Sequence, residues 1–306
     1  MIDKLIERIR ACNNPTAVGL DTCLDYLPEA DRSRCKTLED AAKAIADFNY
    51  TLIDRLKDLI PAVKVQVAYY EMYGVAGMQA FADTLAYAKK NGLITIADCK
   101  RNDIGSTASC YSAAYLGKVK VGENEFSPFA ADFLTVNGYL GSDGLDPFVA
   151  DCEKYDKGIF ALVKTSNPSS GQLQDKTFSD GNTLYEHMAR LITQTGEKLR
   201  GKYGYSDVGA VIGATHPSQA EQVRRAFPHL FFLIPGYGAQ GGSADGLSVC
   251  FDERGLGGIV NNSRGVICAY KKEAYKGQTF AEAAENAVID MREDIYRALQ
   301  KAGKAK

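Results

Sequence analysis

Histidine is scarce in this chain, and His187, His216 and His229 stand far apart, a spacing that suits ordinary structural roles better than a metal site. The eight cysteines include no C-x-x-C pair, and several fall within apolar segments, so buried reduced thiols fit them better than disulfides or a zinc site. No apolar run approaches the length of a membrane span. The opening residues, MIDKLIERIRACNNP, mix charge into every turn and lack the uninterrupted apolar core of a secretory signal. Net charge is nearly absent as well. The 36 Lys and Arg against 38 Asp and Glu leave −2, with pI near 6.0, so a nucleic-acid polyanion would find no basic surface. These absences point to a cytoplasmic protein that handles small molecules, with neither a nucleic acid nor a membrane as partner. No Ser/Gly linker or abrupt shift in composition divides the chain, so residues 1–306 are read as one domain.

What the chain does have is a repeated alternation. Eight short apolar runs read as strands: TAVGLD (16–21), AVKVQV (62–67), LITIAD (93–98), DFLTVN (132–137), GIFALVK (158–164), VGAVIG (208–213), LFFLIP (230–235) and GGIVNN (257–262). Between most of them, and after the last, apolar residues recur at three- and four-residue spacing, as in 38–59, 77–92, 182–204, 216–227 and the closing FAEAAENAVIDMREDIYRALQKAG. The strands are too apolar for a half-exposed antiparallel sheet. Eight strand–helix units close naturally as a (β/α)8 barrel, and a doubly wound open sheet is the main alternative.

A barrel of this kind carries its active site at the C-terminal ends of the strands. There the sequence turns polar: Asp21 on the first strand, Lys64 on the second, Asp98 and then Lys100 on the third, Asn137 on the fourth, and Lys164, Ser166 and Asn167 on the fifth. A single charged strand end is ordinarily solvated, but recurrence on successive strands is harder to explain that way. In "ADCKRNDIG" (97–105), strand alternation points Asp98 and Lys100 the same way and turns Cys99 toward the core. Asp103 lies beyond the strand and can face elsewhere, including across a subunit boundary.

IPGYGAQGG (234–242) places Gly236, Gly238 and Gly241 in G-x-G-x-x-G spacing. It comes late, follows Pro235 and lacks the ribose-binding acid of a dinucleotide fold, so a phosphate loop after the seventh strand fits better. Backbone N–H groups at Gly238 and Gly241 and the Gln240 amide would meet the phosphate, and Arg264 in NNSRG (261–265) would offer a planar fork. Taken alone, Arg264 reads equally well as a surface salt bridge. The 236–258 segment is the natural lid.

Together these motifs resemble the orotidine 5'-phosphate decarboxylase family over about residues 17–270. The D-x-K-x-x-D-I motif reads Asp98-Cys99-Lys100-Arg101-Asn102-Asp103-Ile104. GLD, VK, TVN, TSNP, PGYGAQGG and SRG follow the family's order, and the length and NNSRG suggest its longer bacterial-type branch. The resemblance implies a network of Lys64, Asp98, Lys100 and Asp103, with Asp103 and Ile104 reaching the neighbouring subunit's site and hence a homodimer. Thr107 matches another position that contributes across that interface. Asp21 and Lys64 would contact ribose hydroxyls, Ser166 the pyrimidine edge, and Gln240 and Arg264 the phosphate. The substrate would be orotidine 5'-monophosphate and the product UMP, with no metal or organic cofactor. The long 240–258 segment departs from compact family members.

Decarboxylation at C6 leaves a carbanion with little resonance relief, and Lys100 is the motif's one group able to stabilise it and protonate it. Three rivals are a Mg-dependent keto-gulonate phosphate decarboxylase, which looks to need a carboxylate where Lys64 stands, a Schiff-base aldolase using Lys64, Lys100 or Lys164, and a UMP-sensing barrel without turnover.

Overall fold

The computed structural model describes residues 1–238 and 244–304. Each of the eight apolar runs forms a strand of one closed parallel barrel: β1 (Thr16–Gly19), β2 (Ala62–Gln66), β3 (Ile94–Arg101), β6 (Phe133–Val136), β7 (Gly158–Lys164), β8 (Val208–Ile212), β9 (Phe232–Ile234) and β10 (Gly258–Asn262). β4 (Val119–Val121) and β5 (Asn124–Phe126) form a separate antiparallel hairpin that the sequence pattern did not announce, being short and exposed. The barrel order is β1-β10-β9-β8-β7-β6-β3-β2, closed by the β1–β2 pair. Closure removes the edge strands a doubly wound sheet would leave, and the strands are buried on both faces as parallel strands require.

Helices cover the outside, each burying one stripe. Leu38–Leu56 buries Ala41, Ile45, Phe48, Leu52 and Leu56 at helical spacing. It starts at a reciprocal cap between Thr37 and Asp40. Thr183 with Glu186 and Thr279 with Glu282 start two other helices in the same way. Each such cap is worth about 1 kcal/mol. Among the described residues no helix is long and apolar enough to cross a membrane.

The barrel interior is filled by inward residues two apart on each strand, including Ala17, Ala62, Ile96, Phe133, Phe160, Leu233 and Ile259. Phe133 and Phe160 stack with ring centroids 4.9 Å apart. The N-terminal helix, Ile2–Cys12, joins this cluster through Ile2, Leu5, Ile6 and Ile9. Its charged residues occupy the face opposite an apolar stripe that packs with the barrel's interior core.

One strand is irregular. Lys64 pairs in register with Ile96 and Gln66 with Asp98, but the β3–β6 register shifts between Ala97 and Arg101. Lys100, inside that shift, has φ +49°, in the left-handed region that non-glycine residues rarely enter.

Candidate active site

A cavity of about 540 Å³ opens over the C-terminal ends of the barrel strands. Leu162, Val211 and Leu233 supply its apolar floor, where the top of the interior core meets the cavity. Asp21, Lys64, Asp98, Lys100, Ser166 and Arg264 supply its charged and polar wall.

Four of these groups form a chain of alternating charge. Lys64 Nζ lies 2.9 Å from Asp21 Oδ1 and 2.9 Å from Asp98 Oδ2, and Lys100 Nζ lies 2.6 Å from Asp98 Oδ1. Lys64 and Asp98 are buried, whereas the Lys100 side chain is 46% exposed and faces the cavity. Burial opposes charge on Asp98, but the ammonium groups of Lys64 and Lys100 outweigh it and hold the carboxyl well below the usual carboxylate range. Burial likewise opposes the Lys64 cation, and Asp21 and Asp98 overcome it, raising its pKa above the ordinary lysine value. A lysine so held is a poor Schiff-base nucleophile.

Asp98 also accepts hydrogen bonds from Thr135 Oγ1, 2.8 Å from Oδ1, and from Gln66 Nε2, 2.9 Å from Oδ2. Thr135 Oγ1 in turn accepts from the Lys100 backbone N–H at 3.0 Å. Sequence reasoning passed over both residues. Strand alternation could have found them, since Gln66 follows Lys64 by two positions and Thr135 follows inward-facing Phe133 by two. Cys99 is turned away into the core as expected, and burial pushes its thiol up to about 12.

Ser166 follows β7 and is held from several sides. Its carbonyl accepts from Thr215 Oγ1 at 3.1 Å, and Gly213 provides the close approach, because a Cβ there would collide with the Ser166 backbone. Beside it Gln174 bonds both the backbone N–H and the hydroxyl of Thr165, at 2.9 and 2.8 Å. Lys164 does not line the cavity. Fully buried, it reaches Asp175 at 2.6 Å and Ser170 at 3.2 Å, anchoring the segment that carries Ser166.

Arg264 opens a short helix after β10 and lines both this cavity and a second one of about 590 Å³, which Gly238, Tyr237 and Lys272 also line. Among the described residues it has no salt-bridge partner, so the surface-pair alternative is unsupported. Gln240 and Gly241 lie outside the described residues. The segment beyond them is fastened to the C-terminal helix Phe280–Lys301. Lys301 pairs with Asp245 at 2.9 Å, and Tyr237, just after β9, donates to Asp294 at 2.6 Å.

Asp103, Ile104 and Thr107 are not brought into this chain's cavity. Asp103 accepts from the Ile104 N–H at 2.9 Å, while Ile104 and Thr107 are exposed. Asn137, expected among the site's polar strand ends, also does not line the cavity. A turn begins directly after β6, and the Asn137 side chain caps it by accepting from Tyr139 N–H at 3.0 Å. Asn261 is a cavity residue the sequence reading passed over: it is buried, and its Oδ1 has no protein partner. Among the described residues no cluster of His, Cys, Asp and Glu could hold a metal ion.

Fixed, alternating charges at the C-terminal strand ends of a (β/α)8 barrel are the arrangement of an enzyme site able to stabilise charge that develops on a small molecule. The model of the orotidine 5'-phosphate decarboxylase / HUMPS family matches residues 36–277, and the chain belongs to that family. It is 43% identical over 286 residues to the orotidine 5'-phosphate decarboxylase of Rhodopirellula baltica, covering 92% of this chain and 93% of the relative. It is 40% identical over 299 residues to that of Clostridium acetobutylicum, covering 98% and 100%. The solved structure of Leishmania donovani OMP decarboxylase matches with TM-score 0.72 at 29% identity, over 98% of each chain.

Proposed function

We propose that this protein decarboxylates orotidine 5'-monophosphate to UMP and CO2, as a single-domain cytoplasmic enzyme that needs no metal or organic cofactor. The observation that carries the reading is the chain Asp21–Lys64–Asp98–Lys100, ending at an exposed ammonium in the cavity. Its charges are fixed before substrate arrives, so little reorganisation is needed when negative charge develops at C6. Lys100 faces that carbon, balances the carbanion as CO2 leaves, and donates its proton to C6. Asp98, saturated with donors, stays anionic beside the departing carboxylate and holds Lys100 in place.

Asp21 and Lys64 bind the ribose hydroxyls, Ser166 the pyrimidine edge, and Arg264 the phosphate, together with Gly238, Gly241 and Gln240. Phosphate binding there supplies binding energy remote from the reacting carbon. Asp103, Ile104 and Thr107 act on the partner's site in a homodimer. Their exposure or absence from the cavity of their own chain agrees with that assignment.

The test is the absorbance of purified protein with orotidine 5'-monophosphate in EDTA, beside the Lys100→Ala variant. Loss of the substrate band with wild type alone is expected. A folded wild type without turnover would sink the proposal and leave a nucleotide-binding barrel.

A further inference from the structure

The Asp98 carboxylate receives four donors, two on each oxygen: Lys100 Nζ and Thr135 Oγ1 on Oδ1, Lys64 Nζ and Gln66 Nε2 on Oδ2. Two of these are neutral and come from the strands on either side of β3, Gln66 from β2 and Thr135 from β6. A carboxylate has about four lone-pair sites, so Asp98 has no acceptor capacity left and no freedom to rotate. Charge balance alone would not need the neutral pair, since Asp98 already sits between two ammonium groups.

Thr135 does a second thing. It is buried, and the same hydroxyl that donates to Asp98 accepts from the Lys100 backbone N–H at 3.0 Å, inside the register shift where Lys100 holds φ +49°. That N–H has left the regular ladder at the shift, and an unpaired N–H beside a buried carboxylate would be costly. One hydroxyl therefore ties the irregular backbone of Lys100 to the carboxylate that its side chain must meet.

We propose that Thr135 and Gln66 are positioning residues for decarboxylation. They clamp the Asp98 carboxylate from its two neighbouring strands, and Thr135 also fixes the Lys100 backbone, so that the ammonium is held at the reacting carbon. This rests on the decarboxylase reading above. Both line the cavity, but the ribose and phosphate contacts proposed above come from other residues. Their loss should reduce turnover rather than binding.

The test compares wild type with Thr135→Val, which keeps the shape and removes the hydroxyl, Thr135→Ser, which keeps the hydroxyl, and Gln66→Met. Turnover number, KM for orotidine 5'-monophosphate, the UMP dissociation constant and Tm are measured for each. Thr135→Val should lower kcat by about 100-fold, the scale of a small misplacement of a reacting group. Gln66→Met should lower it by about tenfold, and both should leave KM and UMP affinity within about threefold of wild type. Thr135→Ser should recover most of the lost kcat. Unchanged kcat in Thr135→Val and Gln66→Met, or UMP affinity falling in step with kcat, would overturn the positioning role. If Thr135→Val does not fold, Gln66→Met with Thr135→Ser decides: kcat at wild-type level in the first, or a Ser variant no better than about one hundredth of wild type, overturns it. Absence of turnover in wild type itself would instead remove the decarboxylase reading.

Discussion

Lys100 meets Asp98 at 2.6 Å from a backbone position that a regular strand does not provide. Alternation alone would set the two side chains side by side on one face. The register shift and the left-handed φ of +49° at Lys100 re-aim that side chain, which leaves its ammonium half-exposed at the cavity while Asp98 stays buried. A non-glycine residue in this region stores about 1–2 kcal/mol, which the surrounding bonds must offset.

The stored strain can be read out directly. Lys100→Ala and Lys100→Gly should both abolish turnover, since each removes the ammonium. At an ordinary strand position glycine would be the less stable of the two. Here the glycine variant should be more stable than the alanine variant by about 1 kcal/mol, or about 2 °C in Tm. Equal melting temperatures, or a more stable alanine variant, would show that the conformation carries no strain.

Lys64 is the hinge of the charge chain, and its removal has a predictable pH signature. Wild-type Asp98 has a pKa held below its ordinary value of 3.8. Its contribution to stability is therefore full above that value and is lost as pH falls through the lower folded one. Lys64, raised above its ordinary 10.5, contributes fully below that value and loses its contribution as pH rises through the higher folded one. In Lys64→Met the buried Asp98 keeps only Lys100 as a cationic partner, and burial moves its pKa upward. The variant should lose about 3–5 kcal/mol at pH 7, and its deficit should shrink as pH falls through the variant's higher Asp98 pKa, where the uncompensated buried carboxylate takes up a proton while the wild-type Asp98 stays ionised. Urea unfolding at a series of pH values gives this difference. A deficit independent of pH would mean the pair does not govern Asp98.

How far the site was legible follows from which interactions are local. Lys64, Asp98, Lys100 and Ser166 could be placed because eight apolar runs fix eight strand ends, and alternation then says which residues face inward. The same logic reached Thr135 and Gln66 in principle, but an uncharged threonine or glutamine on a strand carries no signal until its partner's position is known. The bulge at Lys100 was hidden for a related reason: nothing in ADCKRNDIG breaks the strand pattern, and the shift exists only in the pairing with β6. Asn137 misled because a turn starts immediately after β6 and claims its side chain locally. The N-terminal helix was passed over because its charged face dominates the composition of a short segment, while its four apolar residues acquire meaning only against the barrel core.

Asp103 gives the sharpest test of assembly. It does not line the cavity of its own chain, yet the motif that carries it also carries Asp98 and Lys100. If it serves the partner's site, a mixed dimer of Lys100→Ala and Asp103→Ala subunits contains one site with both lesions and one with neither. If it served its own chain's site, every site in that dimer would carry a lesion. Each variant alone should be nearly inactive, and refolding or coexpressing them in equal amounts should return about a quarter of wild-type activity, since half the dimers are mixed and each has one intact site. Activity that stays at the level of the separate variants, in a preparation shown by mass to contain mixed dimers, would place Asp103 outside the partner's site.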